Sequence, residues 1–202
     1  MFEFVAIIIK GGIVMVPLIA CSIIALTVVI ERFLFWRRIG ARKPIEDLLQ
    51  LVERNELAKA MEAGRVADSP VARVLSAGLE HRNPSLSNAM EVAAQGEIPV
   101  LKQRLTILDT IITLAPLLGL LGTVTGMIGS FGIMSQSGIG QPHAVTGGVA
   151  EALIATATGL LIAILTLVPY NYFSNRAEQE LEQIEYYASR LELLLGEREE
   201  KK

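Results

Sequence analysis

The chain has 202 residues, of which 51% are hydrophobic and 19% charged, and its mean hydropathy is +0.47. Such a composition is typical of a membrane protein rather than a soluble globular domain. The net charge of -3 is too small to indicate a nucleic-acid partner. The single cysteine, Cys21, excludes a disulfide framework or a Cys-x-x-Cys metal site within one chain.

Three uncharged runs predict three membrane-spanning helices. Gly11–Ile30 is long enough to cross about 30 Å of hydrocarbon, which takes roughly 20 residues of helix. Thr110–Ala150 and Ala152–Asn175 are the other two runs. We therefore predict an all-α integral membrane protein, divided into an outer amino terminus and first span at 1–36, a cytoplasmic helical segment at 37–105, a second span at 106–135, a periplasmic loop at 136–144, a third span at 145–174 and a cytoplasmic carboxy-terminal helix at 175–202.

Basic residues predict the orientation of these spans. They gather at the ends that face the long polar segment and the carboxy terminus: Arg32, Arg37, Arg38, Arg42, Lys43, Lys102, Arg104 and Arg176. The connection at 135–150 contains no Lys or Arg. Because basic residues favour the cytoplasmic side, we expect a periplasmic amino terminus, a cytoplasmic carboxy terminus, and an interfacial anchor at Glu31-Arg32.

The polar stretches are predicted to be helical. Apolar residues at helical spacing favour helices at 44–63, 71–80 and 86–105. The last of these is expected to kink at Pro99. After the third span comes a heptad seam formed by Leu181, Ile184, Ala188, Leu191 and Leu195. The seam indicates either a packing face within the chain or a surface for a partner helix.

Small residues form a smooth stripe on each of the last two spans. In the second span the stripe consists of Gly119, Gly122, Gly126 and Gly129. In the third span it consists of Gly148, Ala152, Thr156, Gly159 and Ala163. Small residues let helix backbones approach closely in lipid. We therefore predict tight packing of these spans in a helix bundle or an oligomer.

Glu151 is the single charged residue between Thr110 and Asn175. If its helix begins at Pro142, Glu151 lies about 13 Å along the axis at ~1.5 Å per residue. An acidic side chain at mid-membrane costs about 2.5–3.5 kcal/mol, and a low dielectric favours its neutral form. A carboxyl group that gains and loses a proton there is what a proton relay requires. The alternative is an acid that reaches the outer surface or stabilises the start of its helix.

The threonines near Glu151 leave two interpretations open. By ideal helix geometry Thr158 shares the face of Glu151, whereas Thr156 is rotated from it by about 140°. Each hydroxyl could belong to an ion path or could donate to a carbonyl of its own helix. The same choice applies to Thr123 and Thr125 in the second span.

Four stretches resemble the ExbB/TolQ/MotA proton-channel family, most closely its ExbB and TolQ branches. They are GGIVMVPLIACSIIALTVVIERFLFW, SPVARVLSAGL, LAPLLGLLGTVTGMIGSF and GGVAEALIATATGLLIAILTLVPYNYF. The resemblance covers nearly the whole chain. It implies three spans with a large cytoplasmic loop, arranged in an oligomeric helix bundle around a central pore. Thr125 stands where both branches commonly have tryptophan, so the choice between ExbB and TolQ stays open.

The resemblance also implies roles for single residues. The family's membrane glutamate corresponds to Glu151, and its motif threonines correspond to Thr156 and Thr123. In the family these residues line a proton path in a homopentamer around a dimer of a single-span protein, ExbD or TolR, which carries a membrane aspartate. Protons are then the coupling ion, no other cofactor or metal is implied, and work reaches a TonB- or TolA-like partner from the bacterial inner membrane. Extra hydroxyls at Thr125 and Thr158 keep sodium open as the ion.

A proton-conducting motor subunit is thus the function that the sequence favours. The rival function is a membrane scaffold, in which Glu151 pairs with a cationic group and no ion flows. We do not expect an enzyme, because the sequence offers no nucleophile–base pair and its two histidines, His81 and His143, lie far apart.

Overall fold

The computed structural model describes residues 11–39, 43–67, 69–137 and 142–199. All regular secondary structure in these ranges is helical. The helices of this described part are α1 (Met15–Arg38), α2 (Lys43–Glu53), α3 (Leu57–Val66), α4 (Pro70–Glu80), α5 (Arg82–Leu101), α6 (Leu105–Ser137) and α7 (Pro142–Glu199). The predicted all-α class is therefore confirmed.

Three of these helices are long and apolar enough to cross a membrane. Their candidate spans are Met15–Arg38 in α1, Leu105–Ser135 in α6 and Thr146–Gly196 in α7. The three predicted spans thus correspond to three helices. Together they make the chain a multi-pass membrane protein.

The described residues form two compact units. The first, which we call the membrane unit, contains the described residues up to Glu31 together with Arg104–Tyr172. The second, which we call the polar unit, contains Arg32–Gln103 together with the described residues from Phe173 onward. Helices α1 and α7 contribute residues to both units.

Helices α6 and α7 approach to backbone contact inside the membrane unit. A methyl group placed on Gly119 would lie 3.0 Å from the Cα atom of Thr156. A methyl group on Gly159 would overlap the carbonyl oxygen of Ala115 and would lie 3.2 Å from the Cα atom of Gly119. Only glycine fits at these two crossing points without displacing a backbone.

The glycine stripe of α6 ends in open space at its outer end. A methyl group on Gly122 would come within 2.5 Å of the Cβ atom of Ala155, and one on Gly126 within 3.0 Å of the Cβ atom of Ala152. At Gly129 a methyl group would have no described atom within 4 Å. The stripe therefore stays in close contact with α7 as far as Gly126, where the carbonyl oxygen of Gly148 would lie 3.1 Å from an added methyl group, and it ends in open space at Gly129.

The outer surface of the membrane unit is apolar. Leu117, Leu153 and Leu165 have 62%, 63% and 66% of their surface exposed. In water such a surface would drive association, whereas in a bilayer it meets hydrocarbon or other spanning helices. This surface agrees with the assignment of the three helices to a membrane.

The polar unit has a hydrophobic core like that of a soluble domain. Its buried residues come from α2, α4, α5 and the end of α7: Ile45, Leu48, Leu49, Val52, Val71, Val74, Leu75, Met90, Ile184, Leu191 and Leu195. Arg73 of α4 also forms a bidentate ion pair with Glu97 of α5, at 2.8 and 2.7 Å. The seam residues Ile184, Leu191 and Leu195 therefore pack within the chain, while Leu181 and Ala188 are only partly buried and leave a surface for a partner helix as an open interpretation.

The prediction of one helix at 44–63 is wrong. The structure divides this stretch into α2 and α3, with Asn55 between them at a φ of 64°. Asparagine tolerates this left-handed conformation, which ends helices. Gly64, expected after the end of the helix, lies inside α3 and is buried.

The next two helices differ less from expectation. Helix α4 begins at Pro70, after Ser69 in an extended conformation. Helix α5 contains Pro99 and ends at Leu101 rather than running on to residue 105. The break before α6 includes Arg104, whose φ is 62°.

Arg32 is buried in the polar unit and is not an interfacial anchor, so that interpretation is wrong. Only 1% of its surface is exposed. Its guanidinium donates to the carbonyl oxygen of Val100 and to Oε1 of Gln103, both at 3.3 Å, and lies 4.3 Å from the ring centre of Phe35. A fork of donors suits the last carbonyls of α5, which lack partners within their own helix.

The crossing of α6 and α7 predicts that a change to alanine affects stability in opposite directions at two helical glycines, Gly159 and Gly129. Gly159→Ala should lower the unfolding midpoint in mild detergent, because overpacking of this kind costs about 1–3 kcal/mol. Gly129→Ala is the matched control, since it gains the same helix propensity at a position with open space. Equal midpoints for the two variants would contradict the backbone contact.

Candidate functional site

A cavity of about 380 Å³ lies inside the membrane unit, where the start of α1 meets α6 and α7. Its lining consists of Gly11, Gly12, Ile13, Val14, Gly122, Thr125, Gly126, Gly129, Ser130, Ile133, Gly148 and Glu151. Glu151 is the single ionisable side chain in this lining. Six of the remaining residues are glycines of α6, α7 and the turn before α1, and their missing side chains leave the space open.

Glu151 projects from α7 into this cavity. Helix α7 begins at Pro142, which places Glu151 about 13 Å along the axis at ~1.5 Å per residue. Its side chain is partly buried and lies against the backbone of Gly12. The carboxyl group is thus enclosed on one side by protein instead of extending freely along the surface of its helix.

Gly12 is a site residue that sequence reasoning missed. It lies three residues before α1, with a φ of 72°, and Oε1 of Glu151 occupies the place where its Cβ atom would be. Left-handed backbone of this kind favours glycine. The available signal was the Gly11-Gly12 pair directly before an apolar run, which indicates a turn but does not reveal the carboxylate opposite it.

Thr156 connects α7 to α6. Its Oγ1 donates a hydrogen bond of 2.8 Å to the carbonyl oxygen of Gly119. By contrast, Thr158 donates to Ile154 of its own helix, also at 2.8 Å. Of the two threonines near Glu151, the one rotated away from the carboxyl group therefore makes the contact between helices.

The threonines of α6 bond within their own helix. Thr123 donates to the carbonyl of Leu120 at 2.6 Å, and Thr125 donates to that of Leu121 at 2.9 Å. Thr125 lines the Glu151 cavity, whereas Thr123 and Thr156 do not. Within one chain, then, Glu151 and Thr125 line the same cavity, whereas the predicted proton-path residues Thr123 and Thr156 lie outside its lining.

The chemistry available at this site is that of one carboxyl group beside hydroxyl and backbone groups. Ser130, which also lines the cavity, donates to the carbonyl of Gly126 at 2.9 Å. No group of three or more His, Cys, Asp or Glu residues in the described ranges could hold a metal ion. The cavity therefore offers a group that can exchange a proton or attract a small cation.

The sequence matches known proteins over most of its length. Residues 66–186 match the MotA/TolQ/ExbB proton channel family. The ExbB-like protein 3 of Synechocystis sp. is 39% identical over 191 residues, which is 91% of each chain. The ExbB-like protein 1 of the same organism is 38% identical over 197 residues, covering 93% of this chain and 77% of its own.

A relative from the Tol branch matches a shorter part. The Tol-Pal system protein TolQ of Pseudomonas aeruginosa is 36% identical over 110 residues, covering 54% of this chain and 48% of its own. These relatives are channel and transport proteins, which confirms the expectation that the chain is not an enzyme. The matched family region spans more than half of the residues, and the ExbB-like relatives extend the match to nearly all of them. The chain belongs to the MotA/TolQ/ExbB proton channel family.

Proposed function

We propose that this protein is the proton-conducting subunit of an inner-membrane motor and that Glu151 binds and releases the proton. The observation that supports this most directly is the place of its carboxyl group, partly buried in a membrane cavity whose described lining contains no Lys, Arg or His. A carboxyl group is costly at such depth. A function that uses its protonation explains why it is there.

The mechanism follows from the two forms of the carboxyl group. The neutral form is tolerated in a low dielectric, while the charged form needs water or a cation beside it. If access to water alternates between the two faces, the group takes up a proton on one side and releases it on the other. Each proton that crosses 100 mV releases about 2.3 kcal/mol, so a few protons can move one packed interface past another.

The hydroxyl groups complete the proposed path. The hydroxyl hydrogens of Thr123 and Thr156 are donated to backbone carbonyls. Their oxygen atoms therefore remain acceptors for a water molecule or an ion. We place Thr123, Thr156 and Glu151 along one path that is completed when several chains assemble.

The proposed assembly is a homopentamer around a dimer of an ExbD/TolR-like single-span protein with a membrane aspartate, as the family resemblance implies. Work would pass to a TonB- or TolA-like periplasmic protein. Exposed Leu117 and Leu153, with open space at Gly129, leave room on the membrane unit for further helices. Such surfaces suit association between spanning helices.

Two alternatives remain distinguishable by experiment. Sodium as the coupling ion is favoured by one observation, the hydroxyl of Thr125 in the same cavity as Glu151, because hard cations take oxygen ligands. A non-conducting scaffold would require a cationic partner for Glu151. The described lining of the cavity supplies none.

Replacement of the carboxyl group tests the proposed function. Glu151→Gln should abolish proton uptake into proteoliposomes that hold the full chain together with the single-span protein that accompanies it in its host membrane, because the amide cannot titrate. The uptake is measured with a pH dye in the lumen under an imposed potential. Glu178→Gln, which changes an exposed glutamate of the same helix, should retain the flux.

The ion and the scaffold alternative are separated in the same vesicles. A flux that follows a sodium gradient at constant pH would show that sodium, and not the proton, is the coupling ion. A wild-type complex without flux of either ion, or full flux in Glu151→Gln, would overturn the proposed function. Assembly is checked by size-exclusion chromatography of each variant.

The bond between Thr156 and Gly119 predicts a stability difference between two neighbouring threonines. Thr156→Val removes a hydrogen bond between helices and should lower the stability of the membrane unit by about 0.6 kcal/mol, and at most ~1.7 kcal/mol. Thr158→Val removes a bond within one helix and serves as the control. Denaturant unfolding in detergent measures both variants, and a larger loss for Thr158→Val would contradict the described pairing.

The proposed periplasmic amino terminus and cytoplasmic carboxy terminus predict the sides on which two exposed serines lie. In a Cys21→Ser background, Ser135→Cys should react with an impermeant maleimide added to intact spheroplasts. Ser189→Cys should react only after the membrane is opened. The reverse pattern would invert the orientation.

A further inference from the structure

We infer that Gly12 is a positioning residue for the Glu151 carboxyl group: the turn before α1 packs directly on the carboxylate and fixes where it stands in the cavity. This inference rests on the proposed function of Glu151. It assigns to the start of the first span a part in ion exchange.

The first support is steric. A Cβ atom on Gly12 would overlap Oε1 of Glu151 and would lie 3.0 Å from its Cδ atom and 3.4 Å from its Cγ atom. The whole end of the glutamate side chain thus lies against the backbone of the turn. Among the glycines that the structure describes, Gly12 alone has a carboxylate as this neighbour.

The second support is the conformation of the turn. Gly12 has a φ of 72°, and its carbonyl oxygen accepts a 3.1 Å hydrogen bond from the backbone N–H of Met15, the first residue of α1. Ile13 likewise accepts from Val16 at 3.3 Å. These bonds tie the turn to the helix, so its backbone is a fixed wall for the carboxyl group.

The neighbouring glycine provides the contrast. A Cβ atom on Gly11 would meet the side chain of Met15 and would lie 3.4 Å from Ile154. Methionine is flexible and can move aside, and the φ of Gly11 lies outside the left-handed range. The two adjacent glycines therefore differ in two respects, the contact with Glu151 and the left-handed backbone of Gly12.

The consequence for ion exchange is geometric. The turn bounds the carboxyl group on one side, in a cavity that Thr125 and Gly126 also line. A side chain at position 12 would push either the carboxyl group or the turn out of place. Misplacing a reacting group by 1 Å can lower a reaction rate on the order of a hundredfold.

The test uses three variants of the full chain in its complex: Gly12→Ala, Gly12→Asn and, as a control outside the cavity, Gly96→Ala, where an added methyl group would have no described atom within 4 Å. Asparagine tolerates a positive φ, so it separates the contact with the carboxyl group from backbone strain. Both Gly12 variants should lose about tenfold in proton flux, while Gly96→Ala keeps the wild-type flux. Labelling of Glu151 by a hydrophobic carbodiimide, which modifies only protonated carboxyl groups, should follow a different pH profile in both Gly12 variants, as measured by peptide mass spectrometry.

The outcomes separate this inference from the proposed function. Wild-type flux and labelling in Gly12→Asn would overturn the positioning role, whereas a wild-type complex without flux would overturn the function of Glu151 itself. If the Gly12 variants do not assemble, Gly12→Asn is combined with Glu151→Ala, which removes the contact. Restored assembly in this double variant supports the inference, and continued failure overturns it.

Discussion

Backbone contact between α6 and α7 is the constraint on which the Glu151 site depends. Lipid supplies no hydrophobic drive for spanning helices to associate, so close packing and the bond from Thr156 to Gly119 must hold them together. Gly159 makes the closest approach, against the carbonyl of Ala115. Farther along, the same stripe opens into the cavity that receives the carboxyl group. The same pattern of small residues thus provides both the close contact between the two helices and the cavity beside it.

The polar unit is stabilised by a different balance of forces. Water drives the burial of leucine, isoleucine and valine from α2, α4 and the end of α7. Helix α7 contributes residues to both kinds of surroundings, since Leu165 in the membrane unit is 66% exposed while Leu191 in the polar unit is fully buried. The same residue type has opposite surroundings because the solvent changes along the helix. Arg32 is also buried in the polar unit, and its guanidinium needs hydrogen-bond acceptors there. The carbonyl oxygen of Val100 and the amide oxygen of Gln103 supply them.

Much of this fold follows from local patterns in the sequence, and the rest depends on contacts between distant residues. Apolar length was sufficient to predict the three spans, and glycine spacing predicted the close crossing at Gly119 and Gly159. The break at Asn55 was missed because periodicity continues across it. The roles of Arg32 and Gly12 were missed because each depends on a partner far away in sequence, Val100 in one case and Glu151 in the other. For the same reason, helical angles alone could not decide which threonine joins the two helices.

The hydrogen bond from Thr156 to Gly119 has a mechanical consequence. Together with the backbone contacts of Gly119 and Gly159, it leaves no layer of side chains between the closest segments of α6 and α7. If the charge of Glu151 changes, α6 and α7 therefore have little space in which to bend against each other. The two helices would then move together and displace any helix that lies against their outer faces.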